Sequence, residues 1–484
     1  MRNKKTHLED GPSRGPSRRQ FVKEAGALLG GVSLLGPSSL DFRSSPPKVE
    51  KTPNMPVNIQ RVTSDFEREP LADPYAFKGS SVTELWQTVV RMESPSGAAP
   101  IGLGTQSVLW ADSSVFASHS ESGGNALMYA LTERALQMAE GTSFRTPIDL
   151  LERLLGEVHE YGKTLTGDPN LRKTFALNSL VAVDNAAWLL YAAENDIEDF
   201  DEMIPAPYKP SLSHRHDAVA SIPTFGYGAS PEELEEAVEA GYYFLKIKIG
   251  QPGSQEEMLE KDKRQLSAIH EAIGHRRTPY TESGQLPYYL DANGRYEEIE
   301  TLKRLLDHAE AIGARDQIVI VEEPFPEGTQ ADVSGLGVRI ATDESASTAE
   351  DARRMIKMGY GAIALKPIAK TLSMTMKIAQ VAHEHDIPCF CADLTVNPVL
   401  VDWNKSVAAR LSPFPGFKTG LMETNGRQFY ANWQQMKRYH PCPDALWQKT
   451  KDGVFALGEN FYERSGCLFE TPEHYQRLAT PKGG

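Results

Sequence analysis

Five short motifs recur in a fixed order along the chain, and each closes a short apolar run that predicts a β-strand. In chain order they are Lys246-Ile247-Lys248, Asp291-Ala292-Asn293, Glu322-Glu323-Pro324, Asp343-Glu344-Ser345 and Leu365-Lys366-Pro367. They supply a lysine pair, three carboxylates and a further lysine. Groups of these types can remove a proton next to a substrate carboxylate and stabilise the resulting dianion on a divalent metal ion.

The three acids Asp291, Glu322 and Asp343 come from three successive predicted strands. One such acid alone is more often a helix N-cap or a surface residue. Three that converge without a cation would repel one another strongly. Hard oxygen ligands suit Mg²⁺, which keeps positions open for water or substrate. We therefore predict that these acids hold Mg²⁺, with Mn²⁺ as the alternative metal.

The lysines are the predicted acid/base groups. Lys246 and Lys248 lie two residues apart, so both side chains leave the same face of one strand. Their apolar neighbours argue against a solvated surface pair. Lys366 comes from a strand several places further along, so it can approach from the other side. We predict Lys248 and Lys366 as the catalytic pair, and Lys246 as the neighbour that makes Lys248 a better base.

Regular alternation of strands and helices begins near residue 218. The strand candidates are 219–226, 243–249, 287–291, 317–322, 338–342, 361–366 and 388–392. The helical stretches are 231–241, 254–274, 296–313, 348–358 and 371–386. Such units imply parallel strands with right-handed crossovers, and seven or eight of them fit a closed (β/α) barrel. A barrel brings the C-terminal strand ends to one mouth, whereas an open sheet would spread the five motifs along a line.

The segment before the alternation predicts an α+β unit in which strands come first and helices follow. The strand candidates are 81–93 and 103–118. The helix candidates are 122–140, 147–161 and 171–195. The change of pattern near residue 215 therefore predicts a domain boundary.

The N-terminus differs in kind from the rest. Arg18 and Arg19, followed by Phe21 and Lys23, precede a mild apolar stretch at 25–36 and resemble a twin-arginine export signal. A disordered basic tail is the alternative. The export signal predicts the twin-arginine machinery as a partner and a bacterial periplasm as the location of the folded protein.

Composition excludes some classes of function. The 484 residues are 40% hydrophobic, which is ample for large packed cores. The net charge of −14 argues against nucleic-acid binding, which needs a basic face. No run of 18 or more apolar residues occurs, so we expect no stable membrane span. We expect the four cysteines to be scattered thiols, with a Cys442–Cys467 disulfide as the alternative.

Taken together, the five motifs resemble those of the enolase superfamily, in its muconate-lactonizing-enzyme and dipeptide-epimerase-like branch. The resemblance covers roughly residues 80–430. It implies a modified (β/α)7β TIM-type barrel with an N-terminal α+β capping domain, a homo-oligomer, and Asn293 as a partner of the metal ligands. The domains predicted on this basis are 1–55, a signal and disordered linker; 56–215, the capping domain; 216–425, the catalytic barrel; and 426–484, a segment packing back on the capping domain.

Substrate specificity has weaker signals. Asp393 follows the seventh strand and is a candidate for binding a cationic substrate group, with the capping of a turn as the alternative. Glu423 is a candidate for the end of an eighth strand facing the substrate. We expect His214, His216 and His440 to be surface or linker residues.

The first functional hypothesis is an Mg²⁺-dependent racemase or epimerase. It would act on a small-molecule carboxylate, an amino-acid derivative or a dipeptide, through an enediolate intermediate. An acid-sugar dehydratase or a cycloisomerase with the same chemistry is the alternative. A non-catalytic binding protein on this barrel is disfavoured by the complete set of five motifs.

Overall fold

The computed structural model describes residues 56–77 and 80–480. The predicted export signal lies outside these residues and stays a prediction. The described chain forms a small antiparallel sheet with helices and then a curled, mainly parallel sheet with helices.

The strands fall into three sheets. In chain order they are β1 (Val57–Asn58), β2 (Arg61–Phe77), β3 (Ser80–Glu93), β4 (Ile101–Gln106), β5 (Ser143–Phe144), β6 (Ala218–Ile222), β7 (Thr224–Phe225), β8 (Leu245–Lys248), β9 (Tyr288–Asp291), β10 (Ile318–Glu322), β11 (Ile340–Thr342), β12 (Ala362–Leu365), β13 (Cys389–Cys391), β14 (Gly420–Glu423), β15 (Thr450–Lys451) and β16 (Val454–Ala456). The pair β1–β5 and the antiparallel sheet β2–β3–β4 belong to the N-terminal part.

The helices follow the strands closely in sequence. In chain order they are α1 (Val108–Ala111), α2 (Ser113–His119), α3 (Glu121–Ala139), α4 (Pro147–Thr166), α5 (Lys173–Ser179), α6 (Val181–Glu194), α7 (Phe200–Met203), α8 (Pro231–Glu239), α9 (Gln255–Ile273), α10 (Ile299–Ala311), α11 (Ala349–Lys357), α12 (Leu372–Glu384), α13 (Pro398–Ala408), α14 (Gly426–Phe429), α15 (Trp433–Lys437), α16 (Glu459–Glu463) and α17 (Glu473–Ala479). Short 3-10 turns lie at Lys209–Leu212, Arg315–Gln317, Ser334–Leu336, Leu446–Gln448 and Ser465–Cys467.

The large sheet has the order β15-β16-β6-β14-β13-β12-β11-β10-β9-β8-β7. Every neighbouring pair from β6 through β14 to β7 is parallel, whereas β15 and β16 run antiparallel. Only Pro223, which has no N–H to donate, separates β6 from β7. Because β6 pairs with β14 and β7 with β8, the sheet curls until its two sides meet at this segment.

The helices between these strands begin at side-chain caps. Ser230, Ser254 and Thr348 each accept a hydrogen bond from the backbone N–H three residues on, and the residue there returns one. These capping boxes fix where α8, α9 and α11 start. The cap at Thr348 therefore also limits the loop after β11, in which the Asp343-Glu344-Ser345 motif lies.

The N-terminal part differs in several respects from the sequence prediction. Strand β2 is not among the predicted strands, and the helix expected at 171–195 is divided into α5 and α6. The strand expected at 103–118 ends at Gln106, and α1 and α2 follow it. Asp112 accepts hydrogen bonds from the backbone N–H groups of Ser114 and Val115, which starts α2. The apolar residues of α1 are all buried, so their run reflects packing in the core and not strand pairing.

Helix α6 ties the N-terminal part to the parallel sheet. Asp184 and Trp188 lie one turn apart, and both reach Ser373 in the first turn of α12. The backbone N–H of Ser373 donates to Asp184 Oδ2 over 3.0 Å, and the Trp188 indole donates to Ser373 Oγ over 3.0 Å. Burial raises the pKa of the Asp184 carboxyl to about 7.

The C-terminal segment touches both parts. Tyr430 accepts a hydrogen bond from Gln87 Nε2 of β3 at 2.8 Å and donates one to the carbonyl of Thr395, after β13, at 2.7 Å. At its far end, Thr63 of β2 donates to the carbonyl of Ala479 over 2.7 Å.

No single helix of the described ranges has both the length and the apolar composition of a membrane span. Helices α5 and α6 pass that test only as a pair, with a bend of 47° at their break.

Two predictions about single residues are wrong. Cys442 and Cys467 form a disulfide, so only Cys389 and Cys391 are free thiols, both buried in β13. His216 and His440 are buried, because tertiary packing covers loops whose sequence is polar. His216 Nε2 lies 3.0 Å from the carbonyl of Leu411.

The disulfide can be checked by alkylation of the unfolded chain. We expect two alkylated cysteines without reductant and four with it, counted by intact-protein mass. Replacing both Cys442 and Cys467 by Ser should lower the free energy of unfolding by about 3 kcal/mol, because the pair closes a loop of 25 residues. Four alkylated cysteines without reductant would contradict the pairing.

Candidate active site

A small cavity of about 40 Å³ lies at the carboxyl ends of the parallel strands. Lysines, acids and an asparagine of the predicted motifs contribute to its wall, together with apolar residues from the N-terminal part. The lining residues are Val82, Leu85, Ser107, Leu109, Trp110, Lys246, Lys248, Asp291, Asn293, Asp343, Glu344, Lys366, Asp393, Leu394, Thr395, Glu423 and Asn425.

Strand register sets the polar groups side by side. Lys248 pairs with Asp291 across β8 and β9, and Asp291 pairs with Glu322 across β9 and β10. Asp343 and Lys366 directly follow β11 and β12, the next two strands. All five residues are buried. The strands that carry the acids thus lie between the strands that carry Lys248 and Lys366.

The Lys246 ammonium group lies among carboxylates. Its Nζ is 2.9 Å from Asp291, 3.2 Å from Glu322 and 3.1 Å from Glu423. Burial alone would lower the pKa of Lys246, but these carboxylates outweigh burial and raise it well above its ordinary value. Lys246 therefore holds the acids together, and its predicted effect on Lys248 stays a prediction.

Lys248 contacts the same oxygen of Asp291 that Lys246 contacts. Its Nζ donates to Asp291 Oδ2 and to Asn293 Oδ1, each over 2.5 Å. Asn293 has a left-handed φ of +45°, a conformation that Asn tolerates, and its N–H donates to Asp291 Oδ1 over 3.0 Å. Burial would raise the pKa of Asp291, but Lys246 and Lys248 lower it to about 2.

Asp343 faces two lysines, of which sequence reasoning found only one. The Lys366 ammonium donates to Asp343 Oδ2 and lies 4.7 Å from the centre of the Trp110 ring. Lys370 Nζ is 3.1 Å from Asp343 Oδ1 and donates to the Asp343 carbonyl over 2.6 Å. Lys370 follows β12 by several residues, outside the strand-end pattern, so the periodicity carries no signal for it.

The three predicted acids fit a divalent cation by their chemistry. They are buried, come from consecutive strands, and already draw ammonium groups between them, so the site demands positive charge. Among the described residues, these three acids do not form a group whose carboxylate oxygens all lie within 4.8 Å of one another. Lys246 contacts Asp291 and Glu322, whereas Lys366 contacts Asp343. Asp291, Glu322 and Asp343 are the residues that could hold Mg²⁺ once those ammonium groups move aside.

Glu323 links two of the site loops. It accepts hydrogen bonds from the backbone N–H of Asp343 at 2.8 Å and from the hydroxyl of Ser345. Burial first, and then the charge of Glu344, raises the pKa of Glu323 to about 8. Glu323 therefore orients the Asp343 loop and stays away from the cavity lining.

Glu344 is a second residue that sequence reasoning missed, although its motif was recognised. Its side chain lines the cavity with 2% of the residue exposed, and neither carboxylate oxygen has a hydrogen-bond partner among the described residues. Unpartnered buried carboxylates are rare. The charge of Glu344 opposes the effect of burial on Lys366 and helps to raise the pKa of that lysine.

The two specificity candidates, Asp393 and Glu423, meet at the Lys246 side of the cavity. Glu423 ends β14 and accepts hydrogen bonds from Thr224 Oγ1 at 2.8 Å and from the Asp393 N–H at 3.2 Å. Asp393 accepts from the Asn425 N–H at 2.8 Å, and burial raises its pKa to about 7. Asp393 thus caps a turn and also lines the cavity. None of the three histidines named above lines it.

Comparisons with known proteins agree with this geometry. Residues 229–421 match the family model described as enolase C-terminal domain-like. A comparison with curated proteins gives no match.

Three solved structures with similar folds illustrate the likeness. A mandelate racemase/muconate lactonizing protein from Herpetosiphon aurantiacus is 16% identical, with 84% of this chain and 97% of that chain covered and a TM-score of 0.60. A dipeptide epimerase from Enterococcus faecalis, complexed with Mg and the dipeptide L-Leu-L-Tyr, is 18% identical, with coverages of 83% and 98% and a TM-score of 0.56. An N-succinyl Arg/Lys racemase from Bacillus cereus is 16% identical, with coverages of 77% and 88% and a TM-score of 0.55.

These comparisons show an enolase-superfamily fold of the mandelate racemase/muconate lactonizing type. At these identities the likeness to the solved structures concerns the fold alone.

Metal binding tests the acid set directly. We expect Glu322→Gln to weaken Mg²⁺ or Mn²⁺ binding by about tenfold or more, because a neutral amide replaces a carboxylate of similar shape. Titration calorimetry with Mg²⁺, and the electron paramagnetic resonance signal of free Mn²⁺, measure the change. Glu310→Gln, at an exposed position in α10, is the matched control. Equal affinity in both variants would remove Glu322 from the ligand set.

Proposed function

We propose that the protein is an Mg²⁺-dependent racemase or epimerase that removes the α-proton of an amino-acid-type carboxylate. The observation that carries the proposal is the pair Lys248 and Lys366, which reach one buried cavity from strands on either side of the three acids. Two amines on opposite sides of a substrate carbon can remove a proton from one face and return one to the other, which inverts the centre.

The chain's own residues supply most of this chemistry. In the proposal Asp291, Glu322 and Asp343 hold Mg²⁺, which supplies positive charge beside the substrate carboxylate, where negative charge develops. Lys248 and Lys366 exchange a proton with the α-carbon at their Nζ atoms. Lys248 must first lose its contact with Asp291, and Lys366 its contact with Asp343. A metal ion bound to these two carboxylates would replace both contacts.

The charges in the cavity favour a substrate with a positive group. Three lysines and five acids line the wall, so a divalent cation brings the wall close to neutrality. A neutral site accommodates a zwitterion better than an anion. Asp393 and Glu423 cluster beyond the proposed metal ligands and would face a cationic or N–H group. These features support a dipeptide, which is a zwitterion with a free amino group, ahead of an N-acylamino acid, which is an anion.

The N-terminal part supplies an apolar wall. Val82, Leu85, Leu109 and Trp110 line the cavity opposite the acids. We infer that they exclude water and contact an apolar side chain of the substrate. The same inference makes residues 56–215 a capping domain over a modified (β/α)7β barrel, and the junction at Pro223 supports closure of that barrel.

We also propose export by the twin-arginine route to a periplasm, with a homo-oligomer as the working state. The Arg18-Arg19 motif supports export. The Cys442–Cys467 disulfide supports it independently, because such bonds persist in oxidising compartments.

Exchange in deuterated buffer tests the reaction. With Mg²⁺ and a panel of dipeptides and N-acylamino acids, we expect deuterium in the α-position of recovered substrate and no keto acid, both read by mass spectrometry. A keto acid would instead indicate the dehydratase alternative. Lys248→Met and Lys366→Met should each lower the exchange rate about a hundredfold. The loss should be larger for one enantiomer in Lys248→Met and larger for the other enantiomer in Lys366→Met.

The exposed Lys357 in α11 is the matched control, and Lys357→Met should exchange like the parent. An equal loss of exchange for both enantiomers in each lysine variant would contradict a two-base arrangement. Ligand binding with no exchange in the parent would favour the non-catalytic binding protein.

Glu344→Gln tests the two sides of the cavity. The substitution removes a charge without breaking a hydrogen bond between described residues, so the fold should persist. Because this charge raises the pKa of Lys366, its removal should leave more of that lysine neutral and able to accept a proton. We therefore expect exchange to rise severalfold for the enantiomer whose proton faces Lys366 and to change little for the other. The readout is the ratio of the two exchange rates, and an equal change in both would contradict this role.

A further inference from the structure

A second cavity, of about 250 Å³, lies next to the backbone at the end of β14, on the side opposite the active-site cavity. Glu423 and Asn425 line the active-site cavity, while Thr424 and Gly426, which alternate with them, line the second one. The hydroxyls of Thr424 and Ser221 lie 2.6 Å apart on its wall. The cavity therefore belongs to the outer wall of the sheet and is distinct from the candidate active site.

The lining of this second cavity is basic. Arg427, Lys437 and Lys449 contribute to it, and no aspartate or glutamate in the described part of the chain does. That is unusual in a chain whose net charge is −14. Burial first, and then the charges of Lys449 and Arg427, lowers the pKa of Lys437, while the charge of Asp444 acts in the opposite direction. Cations that repel one another in a partly desolvated cavity gain stability from an anion among them.

The remaining lining combines polar residues with apolar and aromatic ones. Val401 of α13, Phe455 of β16, and Trp433 and Tyr242 contribute to it. The Trp433 ring stacks at an interplanar angle of 17° on Tyr430, which holds it in place. A lining that combines basic groups with apolar and aromatic ones matches a ligand that has an anionic head and an apolar body.

We propose that this cavity is a binding site for a small organic anion. One carboxylate or phosphate group of the ligand contacts Lys437, Lys449 and Arg427, and its apolar body packs on Trp433 and Phe455. The site goes beyond the proposed function and does not depend on it, because none of its residues belongs to the proposed catalytic set.

Titration calorimetry on the full chain with Mg²⁺, at constant ionic strength, tests the proposal. The probes are phenyl phosphate, benzoate, inorganic phosphate and acetate, so that head group and body are varied separately. We expect the two aromatic anions to bind more tightly than their small counterparts. Lys437→Gln combined with Lys449→Gln should weaken phenyl phosphate binding by about tenfold or more.

The control is Lys303→Gln combined with Lys357→Gln, which makes the same change in net charge on helices α10 and α11 and should leave affinity unchanged. Trp433→Leu should weaken the binding of phenyl phosphate but not that of inorganic phosphate. This variant replaces the double lysine variant as the test if the latter fails to fold. Absence of binding by every probe would overturn the proposal, as would equal loss of affinity in the control. A change of oligomeric state in the double lysine variant, measured by sedimentation without probe, would also overturn it, because a second copy would then cover the cavity.

Discussion

The site depends on the balance of buried charge at the carboxyl ends of the strands. Asp291, Glu322 and Asp343 are removed from water, and each would be strongly destabilising without a cation nearby. Lys246 supplies one compensating charge within hydrogen-bonding distance of two of these acids. Removal of one partner from such a buried group costs about 3–5 kcal/mol. The lysines therefore stabilise the fold, and a metal ion that binds these acids must compete with them for the same carboxylates.

The surrounding fold aligns these charged groups and excludes water from them. Parallel pairing sets Lys248, Asp291 and Glu322 in one row, and capping boxes fix the lengths of loops that follow neighbouring strands. The N-terminal part then covers the row with apolar side chains. Its position depends on contacts such as that of Asp184 with Ser373, which are themselves buried and polar. Desolvation of the site is thus a property of the contact between the two parts and not of the parallel sheet alone.

The sequence predicts the strand-end groups well because two local signals coincide there, an apolar run and the polar residue that closes it. Lys370 has neither signal, since it reaches Asp343 from the loop beyond a strand end. Glu344 lies in a recognised motif, but only the packed structure shows that its carboxylate has no hydrogen-bond partner among the described residues. The burial of His216 and the pairing of Cys442 with Cys467 depend on segments far apart in sequence, and periodicity carries no information about such contacts.

The chain that ends β14 divides two environments of opposite charge. On the inner side, Glu423 lines the active-site cavity, where acids outnumber lysines. On the outer side, Arg427 lines the second cavity together with two lysines. Glu423 and Thr424 face opposite sides because side chains alternate along a strand, and Arg427 follows on the outer side in α14. An acid cluster attracts cations and a basic cluster attracts anions, so in the absence of a metal ion the two cavities attract head groups of opposite charge. The same short segment therefore constrains both, and a shift of its backbone at Thr424 would alter the two cavities together.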